Sequence, residues 1–175
     1  MIPYSKQDIT EDDIQAVVKT LKSDFLTQGD ATPFFEKSLC QYTGSQFSVA
    51  VNSGTSALHV ACLSLDLGKG DWLWTTAVSF VASANCGLYC GAKVDFGDID
   101  PNDWNLSIHN LKRKLKIAKQ GAKLPKVLIV VHLCGQSANM NELSRLAKEY
   151  NFKIIEIACH ALGGKYLGKP IGSCI

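Results

Sequence analysis

The sequence predicts an α/β domain built on a mostly parallel sheet with helices on both faces. From residue 47 onward, short apolar runs alternate with segments of helical periodicity, which is typical of βαβ units. Parallel strands joined by such helices form a sheet that is covered on both sides. The hydrophobic share of 46% and the charged share of 19% supply one buried core and exclude a disordered chain.

The first predicted helix lies near the N-terminus. Thr10 and Asp13 have the spacing of a short capping box, and apolar residues then recur at helical spacing through Leu21. A second helix is expected to begin near Pro33 and to run through Tyr42. Later helices are predicted at residues 57–65, 80–89, 108–118 and 140–150.

Strands are predicted at residues 47–51, 72–75, 92–96, 126–131 and 153–157. The glycine-punctuated segment at residues 163–172 predicts a small hairpin. Because the chain then stops at Ile175 without a closing helix, we expect an incomplete large domain at residues 31–175. An N-terminal helix and cleft segment, residues 1–30, is expected to precede it.

Charge and cysteine content argue against several classes of function. Eighteen basic and sixteen acidic residues give a net charge of +2, which offers no general attraction to nucleic acid or membrane. The one basic cluster, residues 112–126, is interpreted as the solvated face of an amphipathic helix. No apolar run has membrane-spanning length and the N-terminus does not resemble a signal peptide, so we expect a cytoplasmic protein. The seven cysteines form no Cys-x-x-Cys pair and are interpreted mainly as buried thiols.

Candidate binding residues follow the predicted strands, because open α/β sheets bind ligands at the carboxyl ends of their strands. The turn at residues 52–58, which contains Gly54 and Thr55, can close around a phosphate through backbone N–H groups and hydroxyls. An ordinary capped helix start has the same pattern. Phe80, in the next such turn, can either stack on a planar ring or pack in the core.

Two histidines and two cysteines follow the last two predicted strands: His132, Cys134, Cys159 and His160. They could form a zinc site or a Cys–His nucleophilic pair, but the usual ligand spacing and any local catalytic signature are missing. Structural thiols beside a ligand-facing histidine are favoured over both. A Rossmann-type dinucleotide site is disfavoured, because no Gly-x-Gly-x-x-Gly follows the first predicted strand.

An ordered set of segments carries a resemblance to a known family. The segments are Pro-Tyr-Ser at residues 3–5, Phe-Leu-Thr-Gln-Gly at 25–29, the turn within 51–59, and residues 79–85, 98–100, 131–136 and 158–164. Together they resemble the nucleotide-sugar aminotransferases of the DegT type, pyridoxal-phosphate enzymes of the aspartate-aminotransferase fold (fold type I). Within that family, the segments are most similar to those of transaminases of pseudaminic-acid biosynthesis. The similarity extends over essentially the whole chain.

The resemblance implies a role for each matching residue. Gly54 and Thr55 would hold the cofactor phosphate, and Phe80 would stack on the pyridine ring. His160 has the position of a Gln or His near the 3-hydroxyl of that ring. The sugar-nucleotide cleft, in a site shared between two subunits, would be bordered by Tyr4, Phe25, Leu26 and Thr27.

Two departures from the family pattern bear on catalysis. The residue after Glu156 is an Asp in the family, and its carboxylate pairs with the protonated pyridine nitrogen. This cofactor-binding position is Ile157 here, whose alkyl side chain cannot accept that hydrogen bond. The Schiff-base lysine lies in the family on a segment beyond residue 175, and no lysine here matches its motif, so no catalytic residue is assigned.

The resemblance implies a transfer of the amino group of glutamate to a UDP-linked 4-keto-6-deoxy sugar in bacterial surface-sugar biosynthesis, with this chain inactive alone. The family's sheet places two later strands between residues 47–51 and 153–157, which would leave two apolar edges unpaired here. A homodimer, or pairing with a full-length homologue, is therefore expected. The alternative is a non-catalytic binding or assembly subunit, or a decayed copy of the enzyme.

Overall fold

A computed structural model describes residues 6–173 of the chain. The chain divides into two compact units, Met1–Ala50 and Val51–Ile175. Tyr4, which the resemblance assigns to the substrate cleft, lies outside the described residues. Each unit is described below by itself.

The first unit contains two helices, α1 at Glu11–Leu21 and α2 at Ala31–Thr43. The predicted capping box is present: the Thr10 N–H donates to the Asp13 carboxylate over 2.7 Å, and the Asp13 N–H donates to the Thr10 hydroxyl over 3.4 Å. The Thr10 N–H lowers the pKa of Asp13, because it stabilises the ionised carboxylate. Gly44, in the left-handed region at φ 76°, ends α2.

The predicted strand at residues 47–51 is wrong, because the structure forms no strand there. Phe47 and Val49 leave 78% and 76% of their surface exposed. The Ala50 N–H donates to the side-chain carboxylate of Glu36 over 2.7 Å instead of to a neighbouring strand. A β-strand exists only with a partner that pairs its backbone groups, and apolar composition alone does not supply one.

The second unit confirms the parallel α/β prediction. Its sheet has the order β2-β1-β3-β4, and all neighbouring strands are parallel. Among the described residues, no helix combines the length and the apolar content needed to cross a bilayer. The strands and helices in chain order are α3 (Gly54–Ser64), β1 (Trp72–Thr76), α4 (Ala82–Tyr89), β2 (Lys93–Gly97), α5 (Ile108–Gln120), β3 (Val127–Val131), α6 (Met140–Tyr150), β4 (Lys153–Ile157) and the hairpin β5 (Lys165–Tyr166) with β6 (Lys169–Pro170).

Successive residues of a strand point to opposite sides of the sheet, and helices pack on both of these faces. On one face, α5 and α6 pack their leucines against β1 and β3; the buried cluster there includes Trp74, Leu111, Leu115, Leu128, Val130, Leu143 and Leu146. On the other face, α3 and α4 pack against the same strands; that cluster, the thiol-side core, consists of Cys62, Leu67, Leu73, Cys86, Ala92, Val127 and Ile129. The sheet is therefore the central layer of three.

The prediction that the cysteines are mainly buried thiols is confirmed for two of the six described cysteines; Cys40 and Cys90 are half-buried, and the two in turns are exposed. Cys62 and Cys86 are buried, and contact with the Cys86 thiol together with burial raises the pKa of the Cys62 thiol. Cys134 and Cys159 are exposed, because each lies in a turn just after a strand rather than within a packed segment. Cys174 lies outside the described residues.

The basic cluster is not simply a solvated helix face. Three of its lysines reach carboxylates on neighbouring segments, over nitrogen–oxygen distances of 2.6 Å, 2.7 Å and 2.9 Å; the pairs are Lys112–Glu142, Lys114–Asp95 and Lys126–Asp71. The interpretation from the sequence is corrected for these residues, because their partners are distant along the chain and only the fold brings them near.

Candidate functional site

The carboxyl ends of the parallel strands meet at one edge of the sheet in the second unit. β1 ends at Thr76, β3 at Val131 and β4 at Ile157. Of the predicted cofactor residues, Phe80 and His160 lie in the turns that follow two of these ends, and Ile157 is itself a strand end. Ligands of open α/β folds bind at this kind of edge.

Gly54 and Thr55 form the first turn of α3, and their backbone N–H groups have no intrahelical partner, as at any helix start. Ser53 caps the helix: its hydroxyl accepts the Ser56 N–H over 3.1 Å, and its carbonyl accepts the Ala57 N–H over 3.0 Å. Beyond the flanking residues and the backbone of α3 itself, no heavy atom lies within 4 Å of where a Cβ on Gly54 would be. The turn therefore has open space beside two available donors, which suits an anionic group.

Phe80 is not a core residue, since 71% of its surface is exposed. It lies in the short turn before α4, where the Phe80 carbonyl accepts the Ser83 N–H over 3.0 Å. The Ser79 and Ser83 hydroxyl oxygens, 2.6 Å apart, tie the same turn to the helix. The core-packing alternative is thus removed, and the ring is available to stack on a planar group.

Ile157 is half-buried and packs against the thiol-side core. Its carbonyl accepts the His132 N–H over 3.0 Å, which holds the ends of β3 and β4 together. The side chain contains no hydrogen-bonding atom, so this position cannot pair with a ring nitrogen.

His160 is exposed in the turn after β4. A Cβ added to Gly135, at φ 84°, would lie 2.7 Å from the His160 carbonyl oxygen. The turns after β3 and β4 are therefore in direct contact, and only glycine allows both the positive φ and this close approach.

His132 is buried at 1% exposure, and both of its ring nitrogens are used. Nδ1 accepts the Ala138 N–H over 3.1 Å. Nε2 therefore carries the proton and donates it to the Glu156 carboxylate, 3.0 Å away. A histidine held in this way serves neither as a zinc ligand nor as the base of a Cys–His pair. Residues 6–173 contain no cluster of three or more metal-binding side chains, so the zinc alternative is not supported.

Asn105 shapes this edge of the sheet, and nothing in its local sequence indicated that role. It is 2% exposed. Its side-chain oxygen accepts the Leu133 N–H over 3.1 Å, and its side-chain nitrogen donates to the Gln136 carbonyl over 3.2 Å. Asn105 thus holds both ends of the turn after β3, across about thirty residues of chain, and only the folded topology shows the contact.

Of the substrate residues predicted from the resemblance, Phe25, Leu26 and Thr27 lie in the first unit, between α1 and α2. Phe25 and Leu26 are 71% and 65% exposed, and Thr27 is also exposed. Gln28 adopts φ 57°, and the Phe25 carbonyl lies where a side chain on Gly29 would begin. These residues form a tight turn that is exposed to solvent. Their part in a sugar cleft stays a prediction.

The predicted phosphate turn and the predicted ring position differ in how well they fit pyridoxal phosphate. The first turn of α3 fits a phosphate, because it offers two N–H donors, the Thr55 hydroxyl and open space. If position 157 faces the pyridine nitrogen, as the resemblance implies, Ile157 does not fit the cofactor there, because a protonated ring needs a carboxylate beside its nitrogen.

Known proteins match almost all of the chain. The DegT/DnrJ/EryC1/StrS aminotransferase family matches residues 7–174. The chain is 43% identical, over 99% of its own length and 45% of the relative, to the UDP-4-amino-4,6-dideoxy-N-acetyl-beta-L-altrosamine transaminase of Campylobacter jejuni strain 81-176. It therefore spans about half the length of the curated relatives that it matches.

Two solved structures show the same fold. Helicobacter pylori PseC, an aminotransferase involved in the biosynthesis of pseudoaminic acid, superposes with a TM-score of 0.88 at 30% identity, over 97% of this chain and 44% of PseC. The PLP form of Spr1654 from Streptococcus pneumoniae, a proposed sugar aminotransferase, gives a TM-score of 0.87 at 31% identity, over 98% of this chain and 46% of Spr1654.

Proposed function

The chain belongs to the DegT/DnrJ/EryC1/StrS aminotransferase family, and on that basis we propose that it is the cofactor-binding portion of a pyridoxal-phosphate-dependent sugar aminotransferase. The observation that carries the proposal is the first turn of α3, where Gly54 and Thr55 combine two available N–H donors with open space. This turn lies in the stretch that matches the family, and the Streptococcus relative has a PLP form.

Each cofactor residue has a proposed task. The backbone and hydroxyl of Thr55, together with the Gly54 N–H, would bind the phosphate at the start of α3, and the exposed ring of Phe80 would stack on the pyridine. His160 would lie beside the ring 3-hydroxyl, as the resemblance implies. The cofactor, when bound, supplies the electron sink that aminotransfer requires. The protein's part is to orient that ring and to fix the charge on its nitrogen.

In this proposal, Ile157 departs from the family pattern that the sequence resembles. A carboxylate at this position keeps the ring nitrogen protonated, whereas an alkyl group favours the neutral ring and so weakens the electron sink. The chain with Ile157 is therefore a poor catalyst in this proposal, and the catalytic lysine is supplied by sequence outside residues 1–175. The whole enzyme has roughly twice this length in the relatives.

The proposed substrate is a UDP-linked 4-keto-6-deoxy sugar, with glutamate as the amino donor. Two Campylobacter transaminases named for a UDP-linked altrosamine, at 43% and 40% identity, support this class, as does PseC. Tyr4, Phe25, Leu26 and Thr27 border the sugar-nucleotide cleft in this proposal. The expected setting is bacterial surface-sugar synthesis in the cytoplasm, by a homodimer.

Ile157 also supports a second candidate function. A chain that cannot hold the ring nitrogen protonated fits a non-catalytic binding or assembly subunit that pairs with a full-length homologue, or a decayed copy of the enzyme. Exposed apolar side chains are frequent in the first unit, where Phe25, Phe34 and Phe47 are each more than 70% exposed. Such residues are typical of a surface that another chain covers.

A completed protein tests the two candidates against each other. Residues 1–175 are joined to the matching C-terminal part of the Campylobacter relative, with either Ile157 or Ile157→Asp. Formation of 2-oxoglutarate from glutamate is then measured with the UDP-linked keto-sugar. We expect Ile157→Asp to raise turnover on the order of 100-fold, as for other groups that stabilise transition-state charge.

Ile117→Asp is the matched control, because it makes the same change at a 65% exposed position on α5. It should leave turnover unchanged. Equal turnover in the Ile157 protein and in the Ile157→Asp variant would show that position 157 does not contact the ring nitrogen. No aminotransfer by either protein would contradict the enzyme proposal and favour the non-catalytic subunit.

A further inference from the structure

β2 forms one edge of the sheet in the second unit, since the strand order is β2-β1-β3-β4. The Lys93 N–H donates to the Asp71 carbonyl over 2.9 Å, and the Gly97 carbonyl accepts the Ala77 N–H over 3.1 Å, so the backbone groups of both residues face β1. Because backbone direction alternates along a strand, the backbone groups of Val94 and Phe96 face away from the sheet. Outward groups of this kind are a template on which another chain can add a strand.

The side chains of Asp95 and Lys114 form hydrogen bonds with the outward N–H and the outward carbonyl of Phe96. The Phe96 N–H donates to the Asp95 carboxylate over 2.8 Å, and the Lys114 ammonium donates to the Phe96 carbonyl over 2.7 Å. The same ammonium lies 2.7 Å from the other Asp95 oxygen. It also lies 4.7 Å from the centre of the Trp74 ring, which holds the lysine over the strand.

Lys114 is well placed to block the approach of another strand. It crosses from α5 to β2 and lines a groove of about 550 Å³ between them, beside Trp74, Phe96 and Ile117. Its side chain is only 26% exposed, so its methylene groups cover part of this apolar surface. A strand that paired with β2 would have to displace both the ammonium and the Asp95 carboxylate from Phe96.

We propose that Asp95 and Lys114 form a cap on the β2 edge that prevents a second copy of this chain from adding a strand there. The segment that the cap protects is Lys-Val-Asp-Phe-Gly, a short run with two strand-forming residues. Exposed ion pairs contribute little to folding stability, so the pair's main effect is on what can bind the edge. Charged residues on edge strands are a common means of preventing such pairing.

The test compares Lys114→Met with Lys116→Met in the full chain. Both changes remove one positive charge from α5 and keep an unbranched side chain, but Lys116 is an exposed residue outside the groove lining. Self-association is measured by sedimentation velocity over a range of protein concentrations. We expect an association constant about tenfold higher for Lys114→Met, the equivalent of roughly one additional backbone hydrogen bond between the two copies.

A second change locates the effect on β2. Adding Val94→Pro to Lys114→Met removes an outward N–H without touching the bonds to β1, and proline is tolerated at such edge positions. The double variant should return to the association constant of Lys116→Met. In hydrogen exchange, residues 93–97 of Lys114→Met should become more protected as concentration rises.

Equal association constants for Lys114→Met and Lys116→Met would overturn the proposal. The proposal would also be overturned if Lys114→Met associates and the added Val94→Pro change does not reverse the association, because the two copies would then pair at a surface other than β2. If Lys114→Met fails to fold, as judged by circular dichroism, Asp95→Ala against Asp98→Ala tests the other half of the cap. The same tenfold difference is expected there, and its absence has the same meaning.

Discussion

The Nε2 atom of His132 lies 3.0 Å from Oε2 of Glu156, and this contact joins the carboxyl ends of β3 and β4. The His132 side chain is fully buried, and that of Glu156 is 12% exposed. Because Nδ1 of the same ring accepts the Ala138 N–H, the ring is held in one tautomer. The pair fixes the residue immediately before Ile157, and so helps to set the geometry of the candidate cofactor site.

His132→Leu should lower the free energy of unfolding by about 1–3 kcal/mol, because it leaves the Ala138 N–H and the Glu156 carboxylate without their partner. Urea denaturation followed by circular dichroism measures the change. Glu156→Gln is the matched control and should cost less, since the glutamine carbonyl can still accept the Nε2 hydrogen. A larger loss from Glu156→Gln than from His132→Leu would show that the charge on Glu156, rather than the buried histidine, holds the two strands.

Gly87→Ala should destabilise the protein by about 1–3 kcal/mol through overpacking. A Cβ at this buried position in α4 would lie 3.1 Å from Leu73 Cβ and 3.1 Å from Val94 Cγ2, so the packed side chains or the helix would have to shift by a few tenths of an ångström. Thermal unfolding checks this, with Gly68→Ala as the control because nothing lies within 4 Å of a Cβ there. If Gly87→Ala matches or exceeds the stability of the control, α4 does not pack as closely as described.

The Asp71–Lys126 pair should make stability depend on pH at the acid end. The Lys126 ammonium, 2.9 Å away, lowers the pKa of the Asp71 carboxyl in the folded state. A lowered folded-state pKa means that the pair stabilises the protein above the unfolded pKa of about 3.9, and that this contribution is lost as pH falls through the folded value.

Lys126→Met therefore should destabilise the protein near neutral pH and have a smaller effect in acid. Urea unfolding of both proteins from about pH 6 to about pH 2 gives the difference in unfolding free energy. Lys123→Met, an exposed lysine in no ion pair among the described residues, controls for the lost charge. A Lys126→Met effect that stays constant across this range would rule out the pair as the cause.

Local signals predicted most of the second unit. The helix at Met140–Tyr150 and the strand at Lys153–Ile157 have the predicted bounds, because their periodicity and flanking polar residues are unambiguous. α4 begins at Ala82, two residues later than predicted, since Phe80 lies in the preceding turn. The strand at residues 47–51 failed because a strand depends on its partner, which a local pattern does not contain.

The sequence alone did not predict the polar contacts between residues that are distant along the chain. Asn105 bonds to residues 28 and 31 positions away, and His132 to Glu156, 24 positions away. Nothing in the local pattern distinguishes these side chains from surface polar residues, because their burial follows from how β3 and β4 pair. The same reason explains why Lys114, interpreted as part of a solvated face, instead caps Phe96.

Phe80 and His160 follow strand ends, as predicted. Gly54 and Thr55 were expected in a turn after a strand at residues 47–51, but no strand forms there, and the helix begins at Gly54, three residues before the predicted start. What each contributes to a bound cofactor depends on the ligand and on sequence outside the chain, and stays a prediction.

The affinity of the completed protein for pyridoxal 5′-phosphate tests the central claim most directly. Equilibrium titration followed by cofactor absorbance should show that Ile157→Asp binds about 10- to 100-fold more tightly than the protein with Ile157, the value of one charge-assisted hydrogen bond. Ile117→Asp should bind as the protein with Ile157 does, and Phe80→Ala should bind more weakly. Equal affinities for Ile157→Asp and Ile117→Asp, with no loss in Phe80→Ala, would contradict the assignment of this sheet edge as the cofactor site.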